Sequence, residues 1–236
     1  MNRMFVEELA LSFGIIAVAV GVLLVVHALA PGWVDTITGH VTVGTSVHIV
    51  TIPANCHALL PAGWNLVSFF CLPNNLAREQ GLEPINESYT KLFSYDAGTS
   101  DSWDSFTFGL PDKTVVGISK LYRSKGYWIY IAPADSSSSV LFEYNGTKHP
   151  QEVVTLAQGW NLVGYPTNQS RDINQSFGQL TATISLIRAY NASIPSPVYY
   201  PPDASTDLAG SSLRVFASHW GYWVYANTSG TWTITW

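Results

Sequence analysis

Gly63-Trp64-Asn65-Leu66-Val67 returns 96 residues later as Gly159-Trp160-Asn161-Leu162-Val163. A second pentapeptide, Gly126-Tyr127-Trp128-Ile129-Tyr130, returns 95 residues later as Gly221-Tyr222-Trp223-Val224-Tyr225. Between them, Tyr95-Asp96 is matched by Tyr190-Asn191, again 95 residues on. Three matches in one order, at spacings of 95 or 96 residues, mark an internal duplication. Each unit has roughly 85 residues and the two join near 145–151, whereas solenoids stack three or more units of about 20–50.

Each unit reads as all-β. Short segments rich in Val, Ile, Thr and aromatics alternate with Gly, Pro, Ser and Asp turns. In both pentapeptides the two alternating faces are apolar or aromatic, the pattern of a strand covered on both sides. The opening glycines, Gly63, Gly126, Gly159 and Gly221, fit tight turns at positive φ. Five to six strands per copy suit a small sandwich or barrel. Residues 76–82, with Ala77-Arg78-Glu79-Gln80, are expected to form a short helix. The pentapeptide pair is similar to that of repeated β-domains in prokaryotic extracellular and cell-surface proteins. That resemblance covers 57–236 and implies architecture and location, with little about activity.

Ahead of the duplication, residues 9–34 read LALSFGIIAVAVGVLLVVHALAPGWV, with no Asp, Glu, Lys or Arg. As a helix this run spans roughly 39 Å, enough to cross a hydrocarbon core of about 30 Å. Both helical faces are apolar, which fits a membrane anchor or a helix packed among copies of itself better than a core helix. A cleaved signal peptide would have a shorter apolar part and a more basic start. Ala10/Gly14 and Ala17/Gly21 are small-xxx-small pairs that allow close helix contact.

The opening Met4-Phe5-Val6-Glu7-Glu8 before this run resembles type IV pilins and the related archaeal pilins and archaellins. If Met4 were the first mature residue, the resemblance would make Glu8 the family's fifth-position glutamate. Such an acid pairs with a neighbour's amino terminus inside a dry helix bundle. An uncleaved signal anchor is the other reading of the same segment. The expected fold is therefore mainly β: a long hydrophobic N-terminal α-helix (1–35), then two tandem β-sandwich-like domains. An uncharged β segment (36–56) joins the first domain (57–147), and the second covers 148–236.

Composition narrows the function. The chain has 236 residues, of which 47% are hydrophobic and 11% charged, with a net charge of −5. Ordinary soluble domains carry about 25% charged residues. The acidic balance excludes a general nucleic-acid binder, which needs a basic footprint. Six Asn-x-Ser/Thr sequons, at Asn86, Asn145, Asn168, Asn174, Asn191 and Asn227, exceed the roughly two that chance predicts for twelve Asn. They point to N-glycosylation outside the cell. There, Cys56 and Cys71 can form one disulfide, worth on the order of 3 kcal/mol.

No GxSxG, P-loop, GxGxxG or HExxH motif occurs, so no enzymatic activity and no cofactor are expected. The six His are scattered, with His40 and His48 able to share a strand face. Asp96, Asp101 and Asp104 share a loop, echoed by Asp203 and Asp207, without EF-hand spacing. Of nine Trp, the repeat positions Trp64, Trp128, Trp160 and Trp223 are assigned to the duplicated core. Trp103, Trp220, Trp232 and Trp236 are left for a surface role. The expected function is a structural subunit of an extracellular, glycosylated archaeal filament. Its partners would be copies of itself, and the membrane before assembly. The alternative is a single-pass cell-surface or virion-envelope protein whose β-domains bind a receptor or carbohydrate.

Overall fold

Asn65 closes a turn on itself, and Asn161 repeats the arrangement. Asn65 Nδ2 donates to Pro61 O at 2.7 Å and Gly63 O at 3.0 Å. Asn161 Nδ2 donates to Ala157 O at 2.8 Å and Gly159 O at 3.0 Å. Gly63 and Gly159 both sit at φ 96°, where a side chain would be strained. The turn, its glycine and its asparagine are thus one device, which aims the strand that follows. The computed structural model describes residues 52–109, 117–177, 180, 182–190, 198–200 and 213–235.

In the first copy, β1 (Ile52–Pro61) begins a ribbon and β2 (Gly63–Val67) a sheet. Then come β3 (Leu76–Ala77), β4 (Tyr89–Tyr95), β5 (Trp103–Thr107), β6 (Lys120–Leu121), β7 (Tyr127–Ile131) and β8 (Ser139–Lys148). The sheet order is β2-β7-β4-β5, while β1 pairs with β8 and β3 with β6. The second copy follows with β9 (Gln151–Leu156), β10 (Gly159–Gly164), β11 (Arg171–Asp172) and β12 (Ile184–Ala189). It ends with β13 (Val198–Tyr200), β14 (Val215–Phe216), β15 (Gly221–Ala226) and β16 (Gly230–Thr235). Its sheet order is β10-β15-β12-β13, with β9 on β16 and β11 on β14. Even the irregularities repeat: β4 shifts register on β7 between Tyr89 and Lys91, and β12 on β15 between Ile184 and Leu186.

Each copy has its own core between the inner face of its four-stranded sheet and its ribbon. Leu60, Phe142, Leu92 and Ile129 meet in the first, and Val154, Ile187, Val224 and Trp232 in the second. A buried tyrosine ties each sheet to the loop before it. Tyr127 Oη accepts from Tyr122 N at 2.7 Å, and Tyr222 Oη from Ala217 N at 2.7 Å. Burial pushes both phenols well above their ordinary pKa.

Three expectations are corrected here. First, the fold is mainly β with no long helix among the described residues. Its helical segments are Arg78–Gly81, Ile173–Ser176 and the 3-10 turn Glu83–Ile85. The run at 9–34, with Glu8, Ala10, Gly14, Ala17 and Gly21, lies outside the described residues, as do His40 and His48. Among the described residues no helix is long and apolar enough to cross a membrane.

Second, the copies are not tandem sandwiches. Each is a four-stranded sheet backed by a two-stranded ribbon, and both lie in one compact unit, Val50–Trp236. The doubly apolar strands are covered on both sides. One face meets the core, and the other meets the opposite copy and a layer of aromatic rings.

Third, Gly126 and Gly221 are absent from the positive-φ glycines of the described residues. They are needed for close approach. A Cβ on Gly126 would lie 2.8 Å from Val163 O, and one on Gly221 would lie 2.8 Å from Val67 O.

These two glycines mark the seam between copies. Gly126 N donates to Leu162 O at 3.2 Å, Gly164 N to Ser124 O at 2.9 Å and Ser68 N to His219 O at 2.8 Å. Val67 bridges Trp220 and Lys125 bridges Val163, so each copy gives and receives the same contact. Ser68 Oγ donates to Trp220 O at 2.9 Å and accepts from Tyr165 N at 3.3 Å. Buried Arg123 pairs with Glu152 of the second copy, Nε to Oε2 at 3.3 Å. Such a reciprocal interface is the geometry of a twofold dimer, here within one chain.

Candidate functional site

Side chains alternate along a strand, so Tyr127 and Ile129 facing the core leave Trp128 and Tyr130 on the opposite face. The same holds for Trp64 beside the buried Asn65, and for Trp160 and Trp223 in the second copy. These four tryptophans are half-buried rather than enclosed. Their assignment to the duplicated core is corrected: they form an outward aromatic layer. The signal was present in the alternation, but apolar residues on both faces hid which face was outward.

The layer has two corners of the same design. Trp64 and Trp128 meet edge-on at 6.3 Å and 85°, and Trp160 and Trp223 at 6.1 Å and 90°. Each corner is completed by a tyrosine of the other copy. Tyr190 lies 5.0 Å from Trp128, and Tyr95 lies 5.2 Å from Trp223. Trp103, on the edge strand β5, stands 5.7 Å from Trp223 and 5.2 Å from Tyr95, and is 44% exposed.

Two open hollows result. The first, of about 720 Å³, is lined by Trp64, Phe93, Trp128, Tyr190, Trp103 and the carboxylate-bearing Asp101, with Ser105. The second, of about 320 Å³, is lined by Tyr95, Trp103, Trp160, Trp223 and Arg188. Both volumes fall in the usual range of small-ligand sites, roughly 300–1,000 Å³. Trp103 lines both, so the hollows are neighbours on one surface.

The copies differ at one telling position. Phe93 on β4 and Arg188 on β12 are equivalent, paired with Trp128 and Trp223 respectively. Phe93 packs on Trp64 at 5.8 Å. Arg188 places its guanidinium 5.1 Å from the centre of the Trp160 ring.

Other expected residues fall elsewhere. Asp96 is drawn away by Lys125, whose Nζ lies 2.9 Å from Oδ2 and holds the carboxyl below its usual range. Burial raises the pKa of Asp104, which lines a separate hollow with Lys120 and Tyr122. Of the three loop acids, only Asp101 reaches the aromatic layer. No group of three His, Cys, Asp or Glu is placed to hold a metal among the described residues. Asp203 and Asp207 lie outside them.

Cys56 and Cys71 are joined in a disulfide, with Cα atoms 5.7 Å apart. Asn86, Asn145, Asn168 and Asn227 are exposed. Asn191 and the side chain of Asn174 lie outside the described residues.

Trp232, expected at the surface, is 1% exposed and donates from Nε1 to Ser176 O at 2.7 Å, so that expectation is corrected. Trp220 packs against the second core, and Trp236 lies outside the described residues. The sequence reading also passed over His219. Its ring lies 4.9 Å from that of Phe70, and burial, helped by His57, lowers its pKa to about 4.

No family model, curated protein or solved structure matches this chain.

Proposed function

We propose that residues 52–235 form a glycan-binding module of an extracellular protein, held at a surface by the apolar segment 9–34. The observation that carries this reading is the aromatic layer, with its two hollows built from both copies. Large rings left half-exposed on a sheet face cost solvation unless something covers them. Tryptophan and tyrosine faces stack on the apolar faces of sugar rings, and their polar edges bond hydroxyls. Asp101, Ser105 and Arg188 supply polar groups at the rims. The site holds a ligand without transforming it. Exposed sequon asparagines and a disulfide agree with an extracellular location.

The test is a glycan array probed with the full chain in sugar-free amphipol, beside Trp128→Ala/Trp223→Ala. The reading expects a defined set of glycans bound by the parent and lost in the variant. An array without hits, or hits retained by the variant, overturns it.

A second reading is a subunit of an archaeal filament resembling type IV pili, favoured by the small residues spaced along 9–34. Electron microscopy of native material decides it. Helical filaments with 9–34 at the axis support it, and isolated copies in lipid exclude it.

A further inference from the structure

The two aromatic corners are copies of one design, yet the second sets a cation on a tryptophan, whereas in the first copy the Lys91 ammonium lies over the neighbouring Tyr130 ring instead, 5.9 Å from its centre. In the second copy, Arg188 sets its guanidinium 5.1 Å from the centre of the Trp160 ring, within the attractive range of a ring's negative face. In the first copy the equivalent residue is Phe93, which adds a ring where the other corner has a charge. The first hollow is also the larger, about 720 Å³ against about 320 Å³. Its rim bears a carboxylate, Asp101, among rings set nearly perpendicular to one another. Perpendicular aromatic rings with an acid at the mouth form an environment that attracts organic cations.

We infer that the first hollow takes a positively charged sugar, an amino sugar within an oligosaccharide. Its ammonium would lie against Trp64 and Trp128 beside Asp101, in the role Arg188 plays for Trp160. This rests on the glycan reading above and names the ligand class for one of its two hollows. The protein's net charge of −5 favours the approach of such a ligand.

The test uses the full chain, titrated at pH 6 and low salt with a tetramer of β-1,4-linked glucosamine and with its fully N-acetylated counterpart. Backbone and length are the same, and each ammonium of one is replaced by a neutral acetamide in the other. The free-amine tetramer is expected to bind roughly ten-fold tighter, as a desolvated cation–ring contact allows. Asp101→Asn should reduce that preference. Phe93→Arg, which supplies the first corner with a cation of its own, should abolish it in a chain whose cooperative melting shows that it is folded.

Equal or tighter binding of the N-acetylated tetramer overturns the inference and leaves the glycan reading standing. So does failure of both tetramers when the array gives other hits. A preference that survives Phe93→Arg also overturns it. Absence of binding to every glycan overturns the inference and the glycan reading together.

Discussion

Adding a single methyl group at Gly221 puts the joining of the two copies to the test. A Cβ there would sit 2.8 Å from Val67 O and 3.1 Å from Leu66 Cδ1. A carbon rests against a carbonyl oxygen at about 3.3–3.6 Å, so the backbones must part by roughly half an ångström. Both sides are sheet strands bonded across the seam, and neither moves without loss. Overpacking of this kind costs about 1–3 kcal/mol. Alanine returns about 0.4–1 kcal/mol by restricting the unfolded chain. The net expectation for Gly221→Ala is a loss of about 1–2 kcal/mol, read by denaturant unfolding. In a unit of this size it lowers the melting temperature by about 2–4 °C per kcal/mol. Gly126→Ala faces Val163 O at 2.8 Å and Leu162 Cδ1 at 3.0 Å, so it should cost the same. Gly98→Ala, which meets only the end of the Asp96 side chain at 3.3 Å, is the control and should stay within about 0.5 kcal/mol of the parent. Parental stability in both seam variants would refute the close approach, and a loss in only one would refute the reciprocity.

Tyr127→Phe and Tyr222→Phe should each cost about 1–3 kcal/mol in thermal unfolding, because the N–H of Tyr122 or Ala217 loses its partner. Stability should fall on acidification through His219. Its folded pKa of about 4 lies below the ordinary 6.5, so its contribution is complete above pH 6.5 and declines as pH falls toward 4. The decline is on the order of 1–3 kcal/mol after allowing for the partial exposure of the ring. Stability curves at pH 7 and pH 4.5 measure it, and His219→Gln should flatten it. Replacing both Cys56 and Cys71 by Ser should cost on the order of 3 kcal/mol, the closure of a 15-residue separation, as read by the midpoint of chemical unfolding.

The duplication was plain in the pentapeptides, since repeated strands keep repeated residues wherever a turn, a core contact and a surface ring are all required. Gly63 and Gly159 were read correctly because a left-handed turn is a local property of the chain. Gly126 and Gly221 were not. Their need for glycine comes from a carbonyl some 40 to 150 residues away, and no local pattern records that. The outward tryptophans were hidden for a related reason. In GWNLV the core face holds Asn65 and Val67, while the outer face holds Trp64 and Leu66, and Leu66 is itself buried against Gly221. With both faces apolar, alternation does not say which face is the surface. Trp232 was misread from the other side: in TWTITW it alternates with Thr on a terminal strand, and its burial depends on the packing of Phe216 and Tyr165 around it.

The claim that both copies build one glycan-binding aromatic layer is tested most directly by following the indole N–H resonances of the full chain while adding a glycan found on the array. The account predicts shifts for Trp64, Trp103 and Trp128 in the first copy and for Trp160 and Trp223 in the second, with Trp232 unmoved. Saturable binding that leaves those five signals in place, or moves those of one copy alone, would contradict it.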